Sequence, residues 1–138
     1  MPKAANLRVL VVDDQRSMRA LVRSSLAQLG CAQCLEAEDG DEALQRISTY
    51  MPDLVISDLN MPKLDGREAL SAIKADPSLR SIPVIVLTTS KSEEDVFRSY
   101  DLGVNSFITK PVSFEGLVEV VRILGHYWFE IVELPSLK

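Results

Sequence analysis

The apolar residues of this chain alternate between two spacings. A short and almost continuous apolar run, LRVLVV at residues 7–12, is followed by a segment in which apolar residues recur at helical spacing until Gly30. The members of that segment are Met18, Leu21, Val22, Leu26 and Leu29. A continuous run is typical of a buried strand, and glycine commonly follows the end of a helix. The pattern therefore predicts a strand followed by a helix.

The same alternation recurs four more times along the chain. The further strand-like runs are QCLEAE, DLVIS, PVIVLTT and NSFITK, and the helices predicted after them cover residues 41–48, 66–74, 93–102 and about 114–124. Three of these helices begin near a capping residue that is followed three positions later by an acid. The pairs are Asp39 with Glu42, Asp65 with Glu68 and Ser92 with Asp95.

Five strands that alternate with five helices predict an α/β fold. Short connections through helices return each strand in the same direction, and near-continuous apolar strands are covered on both faces. We therefore expect a doubly wound five-stranded parallel sheet flanked by five helices. Ligands of such sheets bind at the carboxyl ends of the strands, where the strand order reverses.

Charged residues stand at the predicted carboxyl ends of three strands. Asp13 and Asp14 follow the first strand, Asp58 follows the third, and Lys110 ends the fifth. If these strands are neighbours, three carboxylates and one ammonium meet with a formal sum of −2, which a divalent cation neutralises. We expect Mg2+, because it takes hard oxygen ligands and is commonly held by one or two carboxylates; the alternating acids of an EF-hand calcium loop are absent.

An aspartate beside Mg2+ can also act as a nucleophile toward phosphorus. Asp58 is the candidate, and Lys110 and the metal would offset the charge of the phosphoryl group. Thr88, at the end of PVIVLTT, is placed to donate a hydrogen bond to that group.

Four motifs in this order, VVDD, DLNMPKLDG, LTTS and KP, resemble the receiver domain of two-component response regulators, the single-domain chemotaxis type included. The resemblance covers residues 7 to about 124 and implies a flavodoxin-like sheet with receiver topology. It also implies that Asp58 is the phosphoacceptor. Mg2+ would be held by Asp14, Asp58 and the backbone carbonyl of Asn60, with Asp13 acting through water.

The same resemblance implies a conformational switch. Lys110 would pair with the phosphoryl group and Thr88 would bond it, while Phe107 would be the aromatic switch residue at a position where many members have Tyr. The Lys110–Pro111 peptide is cis in many members. Phosphorylation would remodel the face formed by the fourth helix, the fifth strand and the fifth helix.

Composition limits the partners and the location. The 138 residues carry a net charge of −5 and form no basic stripe, which disfavours nucleic acid as a partner. The sequence has no apolar run of membrane-spanning length and no signal peptide, so we expect a cytoplasmic protein without a membrane partner.

Cys31 and Cys34 form a CxxC that leads into a strand, and we expect two reduced thiols, one of them buried, rather than a redox pair or a zinc site.

The final segment, HYWFEIVELPSLK, is unusually apolar. We expect residues 1–124 to form the receiver domain and residues 125–138 an aromatic extension, too short for a helix-turn-helix output domain. Similar endings occur on single-domain receivers that partner phytochrome-like sensor kinases, where they serve an arm-exchanging homodimer. The predicted interface residues are Tyr127, Trp128, Phe129, Ile131 and Val132. The alternative is that the segment lengthens the last helix and packs on its own domain.

The function implied is that of a single-domain response regulator, not an enzyme, that receives a phosphoryl group from a sensor histidine kinase or a phosphotransfer protein. One alternative is a Mg2+-dependent phosphatase of the haloacid dehalogenase kind. The general acid of such enzymes lies two residues past the nucleophile, and Asn60 occupies that position here. A flavodoxin-like FMN binder is disfavoured by two acids in the first loop, and the third alternative is an inactive receiver scaffold.

Overall fold

The five predicted strands form one parallel sheet, and helices cover both of its faces. The structure, a computed structural model, describes residues 7–58, 66–88, 106–111 and 113–128. The strands are β1 (Arg8–Val12), β2 (Gln33–Ala37), β3 (Leu54–Ser57), β4 (Val84–Thr88) and β5 (Ser106–Thr109). The helices described are α1 (Arg16–Gln28), α2 (Gly40–Tyr50), α3 (Gly66–Ala75) and α4 (Phe114–His126).

The strand order is β2-β1-β3-β4-β5, and every neighbouring pair is parallel. The chain leaves β1 toward β2 at one edge and then returns to place β3 on the other side of β1. The order therefore reverses between β1 and β3, which is where a doubly wound sheet binds its ligand. This confirms the predicted fold class.

The sheet divides the buried apolar residues into two clusters. Val9 and Val11 of β1 face the helices α1 and α4, whereas Leu10 and Val12 face α2 and α3. All four side chains are buried. Because successive side chains of a strand point to opposite faces, this burial explains why the strand sequences are continuous rather than alternating.

The helix starts that can be compared agree with the capping signals. The Asp39 carboxylate accepts a hydrogen bond of 2.8 Å from the backbone N–H of Glu42, as predicted. Ser113 caps α4 by accepting from the backbone N–H of Gly116 at 3.0 Å, which was not predicted. The predicted caps at Asp65 and Ser92, and the helix predicted over residues 93–102, lie outside the described residues.

The last helix runs past its predicted end. The sequence predicts an end near residue 124, but α4 continues to His126 and Tyr127 keeps helical backbone angles. Gly125 lies where α4 crosses α1, and a Cβ atom there would overlap Leu29 Cδ1. The glycine therefore permits a close approach of two helices and does not end one. Residues 129–138 of the predicted extension lie outside the described residues.

The two cysteines are free thiols, and Cys31 is buried, as predicted. Burial raises the pKa of Cys31. Burial, and secondarily the charge of Cys31, raises the pKa of Cys34 to about 12. Both groups are therefore protonated thiols at neutral pH, which opposes a redox role because the thiolate is the reactive form.

Within the described part of the chain, every helix is too short or too polar to cross a membrane.

Candidate functional site

The sheet register brings two of the predicted acids side by side. Val12 of β1 pairs with Ser57 of β3, so the next residues, Asp13 and Asp58, leave the sheet at the same level. The backbone N–H of Asp58 donates to the carbonyl of Val12 at 2.9 Å, and that of Asp13 donates to the carbonyl of Ala37 at 3.1 Å. Both acids are thus fixed by extensions of the strand ladders.

Lys110 reaches this pair from the other half of the sheet. Its backbone N–H donates to the carbonyl of Thr88 at 2.7 Å, which fixes it to the end of β4. Its Nζ donates to Asp13 Oδ2 at 2.7 Å and to Asp58 Oδ2 at 3.2 Å. The three side chains are only 5–8% exposed. One ammonium therefore bridges two buried carboxylates.

Burial and charge pairing shift the pKa values of the bridging groups in opposite directions. Burial raises the pKa of Asp13, and this effect outweighs the hydrogen bonds that the carboxylate accepts from Lys110 and from the Gln15 backbone. Burial alone lowers the pKa of Lys110, but the hydrogen bond and charge of Asp13, with the charge of Asp58, raise it above its ordinary value. Lys110 therefore keeps its proton at neutral pH.

Asp14 completes a group of three acids. Each of Asp13, Asp14 and Asp58 offers a carboxylate oxygen, and these oxygens all lie within 4.8 Å of one another. Asp14 is exposed, whereas the other two are buried. The three carboxylates carry more negative charge than the single ammonium of Lys110 offsets, and Asp14 is exposed to solvent. Three hard oxygen donors with this excess charge suit a divalent cation such as Mg2+. The fourth predicted ligand, Asn60, lies outside the described residues.

The two predicted switch residues lie on β4 and β5. Thr88 is fully buried at the end of β4. Phe107 is half-buried, pairs with Val86, and packs against the cluster that faces α2 and α3. The Lys110–Pro111 peptide is trans, so the expectation of a cis bond is wrong here. The trans form is the lower in energy for most X–Pro bonds, by about 0.5–1 kcal/mol.

One contact of the site was missed by the sequence analysis. Arg19, in the first turns of α1, donates from Nη1 to the backbone carbonyl of Asp13 at 2.7 Å. Its Nε donates to Glu36 Oε1 at 3.1 Å. The sequence carried no signal for the contact with Asp13, because the acceptor is a backbone carbonyl, which every residue possesses.

The predicted interface residues are only partly described. Tyr127 is 48% exposed, while Trp128 is buried and joins the cluster that faces α1 and α4. The two rings meet edge-on, with centroids 5.6 Å apart. Phe129, Ile131 and Val132 lie outside the described residues. The structure therefore shows Trp128 packing on its own domain and Tyr127 facing outward.

Comparisons with known proteins show what this chain is similar to in sequence. The family model of the response regulator receiver domain matches residues 9–122. The response regulator Rcp1 of Synechocystis sp. is 39% identical over 136 residues, which cover 93% of this chain and 92% of Rcp1.

Solved structures give the same result. The phosphorylated cyanobacterial phytochrome response regulator RcpA is 38% identical with a TM-score of 0.90, and the match covers 96% of this chain and 100% of RcpA. The Mn2+-bound form of Rcp1 is 36% identical with a TM-score of 0.87, covering 94% of this chain and 99% of that one.

The Lys110 bridge makes a stability prediction for the metal-free protein. Lys110→Met leaves Asp13 and Asp58 buried without their ammonium, and we expect a loss of about 3 kcal/mol in the free energy of unfolding. Urea unfolding in the presence of a chelator measures it. Asp58→Asn added to Lys110→Met should recover part of the loss, because it removes one of the two facing charges.

The control for this prediction is Arg122→Met. Among the described residues, Arg122 pairs with Glu119 on the exposed face of α4, so its removal should change the unfolding free energy by less than about 1 kcal/mol. Equal losses in Lys110→Met and Arg122→Met, or no recovery in the double variant, would contradict the bridge.

Proposed function

Because the chain belongs to the response regulator receiver family, we propose that it accepts a phosphoryl group on Asp58 from a sensor histidine kinase or a phosphotransfer protein, in a reaction that depends on Mg2+. Receiver domains act in two-component signalling, where sensor histidine kinases phosphorylate them. The observation that carries the proposal is the contact of Lys110 with two buried acids, of which Asp58 is one. A phosphorylated and a Mn2+-bound relative of the same fold support it.

The chemistry follows from the positions of the side chains. A carboxylate oxygen of Asp58 attacks phosphorus, the bond from phosphorus to the donor nitrogen breaks, and an acyl phosphate remains on Asp58. The local charge of Asp58 changes from −1 to about −2, and the Lys110 ammonium, already 3.2 Å from Asp58 Oδ2, pairs with the new charge. Mg2+, which Asp14, Asp58 and the carbonyl of Asn60 would hold, with Asp13 acting through water, would supply further positive charge to the phosphoryl oxygens.

The proposal predicts a specific covalent adduct. On incubation with a small acyl phosphate and Mg2+, we expect intact mass spectrometry to show one added phosphoryl group. The adduct should be absent in Asp58→Asn and absent when Mg2+ is chelated. Asp41→Asn, which removes an exposed carboxylate on α2, is the matched control and should give the wild-type adduct.

The same experiment separates the alternatives. We propose that the protein does not turn over separate substrates, so rapid hydrolysis of varied phosphate esters would instead favour a phosphatase. A wild-type protein that takes up no phosphoryl group, with Mg2+ present and the fold intact, would favour an inactive scaffold.

We further propose that phosphorylation switches the surface around Phe107. Two or three hydrogen bonds to a charged acceptor, each worth about 1.5–3 kcal/mol, supply the 5.5 kcal/mol or so that moves a two-state equilibrium from 1:99 to 99:1. Thr88 stands on β4 two residues beyond Val86, the pairing partner of Phe107, so a movement of Thr88 reaches the strand that holds the ring.

The switch predicts chemical-shift changes at Phe107 when a phosphoryl mimic such as beryllofluoride is added with Mg2+. Thr88→Val, which keeps the shape and removes the hydroxyl, should abolish most of the change. Thr109→Val is the control: it is the same substitution at the position that pairs with Thr88 in the neighbouring strand, and it should leave the wild-type shift changes. Chemical shifts near Phe107 that do not change in the wild type, or that change equally in the wild type, Thr88→Val and Thr109→Val, would refute the proposed switch.

We also propose that the protein is a cytoplasmic homodimer without nucleic acid or membrane partners. Its net charge of −5 supports the absence of nucleic acid. Ile123 and Tyr127, 61% and 48% exposed, stand one helical turn apart on α4 and give that helix an outward apolar surface.

The dimer predicts a mass by light scattering that falls from two chains to one on dilution. Ile123→Asp should shift the equilibrium to monomer, whereas Arg122→Asp places a new acid beside it on another side of α4 and should have the smaller effect. A wild type that is monomeric throughout the micromolar range would refute the proposal.

A further inference from the structure

Asp13 is held at four separate polar atoms. Its backbone N–H donates to Ala37, Oδ1 accepts from the backbone N–H of Gln15 at 2.9 Å, and Oδ2 accepts from Lys110 at 2.7 Å. The fourth atom is its backbone carbonyl oxygen, which accepts from Arg19 Nη1 at 2.7 Å. Two of these bonds come from backbone N–H groups or go to a backbone carbonyl, and the other two are donated by the side chains of Lys110 and Arg19.

Arg19 is itself fixed from the other side. Its side chain is only 12% exposed, and its Nε donates to Glu36 Oε1 on β2. The other oxygen of Glu36 accepts from Arg23 at 2.8 Å. A guanidinium is a planar fork with donors at fixed angles, so Arg19 can contact Glu36 and the carbonyl of Asp13 at the same time.

The carbonyl that Arg19 holds belongs to the peptide group that joins Asp13 to Asp14. The six atoms from Cα of Asp13 to Cα of Asp14 share one peptide plane, and holding the oxygen of that plane limits its rotation. On the other side of Asp14, the N–H of Gln15 is anchored to Asp13 Oδ1. Asp14 therefore sits between two anchored peptide groups.

The Asp14 side chain has no comparable support of its own. It is exposed, and the described part of the chain provides no hydrogen bond or ion pair to its carboxylate. Its oxygen nevertheless lies within 4.8 Å of the oxygens of Asp13 and Asp58. Within the described residues, the contacts next to Asp14 are thus those of the two peptide groups that flank it.

We propose that Arg19, held by Glu36, is a positioning residue for the divalent cation site: it fixes the peptide plane between Asp13 and Asp14 and so directs the Asp14 carboxylate toward Asp13 and Asp58. This inference rests on the proposed function, because it assumes that the three acids bind a cation. Arg19 contacts neither the cation nor the phosphoryl group. It acts through the backbone of the two acids.

The test compares Mg2+ affinities of Arg19→Lys and Arg19→Gln by calorimetric titration of the purified full chain. A lysine keeps the charge but cannot reach both acceptors in the same geometry, and a glutamine removes the charge. A positioning role predicts that both variants bind Mg2+ more weakly, by about tenfold, as is usual when a group that orients metal ligands is lost. A purely electrostatic role predicts the opposite for Arg19→Gln, since removing a positive charge near the site tightens cation binding.

Arg23→Lys is the matched control. Arg23 lies one turn further along α1 and binds the same Glu36, but it is 57% exposed, and within the described residues its contact is with Glu36 and not with Asp13. Its Mg2+ affinity should equal that of the wild type. Urea unfolding without metal shows whether each variant is folded. Glu36→Gln, which loosens the hold on Arg19 without replacing it, provides a second route if an Arg19 variant does not fold.

The outcomes separate this inference from the proposed function. A wild type that binds no Mg2+ and takes up no phosphoryl group would refute the proposed function, and the inference with it. A wild type that binds Mg2+ while both Arg19 variants bind it equally well, or while Arg19→Gln binds it more tightly, would refute the positioning role alone.

Discussion

The structure of the site depends on one electrostatic arrangement, in which a buried ammonium lies between two buried carboxylates. Desolvation of three charged groups is unfavourable, and their mutual attraction offsets it only because the distances from Lys110 Nζ to Asp13 and Asp58 are those of hydrogen bonds. With Asp14 added, the group still carries more negative than positive charge. That excess of negative charge makes the group of acids suitable for a cation. Asp58 also lies next to the Lys110 ammonium.

The sheet makes this arrangement possible because hydrogen bonds of the strand ladders fix the backbone of the charged residues. β1 and β3 are neighbours in register, so their terminal acids meet, and the ladder between β4 and β5 ties Lys110 to Thr88. Because both faces of the sheet are covered by helices, the carboxyl edge is where polar groups from different strands can meet without disturbing the apolar clusters. Packing of the sheet and helices thus determines where the charged group lies, and the charges determine which ligands suit it.

Much of the fold and part of the site could be predicted from the sequence. The described helices and strands begin and end within two residues of their predicted bounds, because apolar periodicity reflects which faces are buried. Asp13, Asp14, Asp58 and Lys110 could be grouped because each stands at the carboxyl end of a predicted strand, and parallel strands end at one edge. Their roles in phosphoryl transfer stay predictions.

The remaining features depend on contacts that leave no local pattern. The contact of Arg19 with Asp13 was not predictable, because its acceptor is a backbone carbonyl, which every residue possesses. The length of α4 was underestimated because Gly125 usually signals a helix end, whereas here its lack of a side chain serves the approach of Leu29. In both cases tertiary structure decides what the residue does.

The distances in sequence between the bonded charges have a consequence for how the protein signals. Lys110 is 97 positions from Asp13 and 52 from Asp58, so each of these bonds closes a loop that spans much of the chain. Closing such long loops costs conformational entropy, which the bonded charges and the surrounding packing must offset. A nascent or damaged copy that lacks its last strand has Asp58 but lacks the ammonium beside it. Under the proposed function, the capacity to accept a phosphoryl group therefore belongs to the complete fold, because Asp58 and Lys110 lie on different segments of the chain.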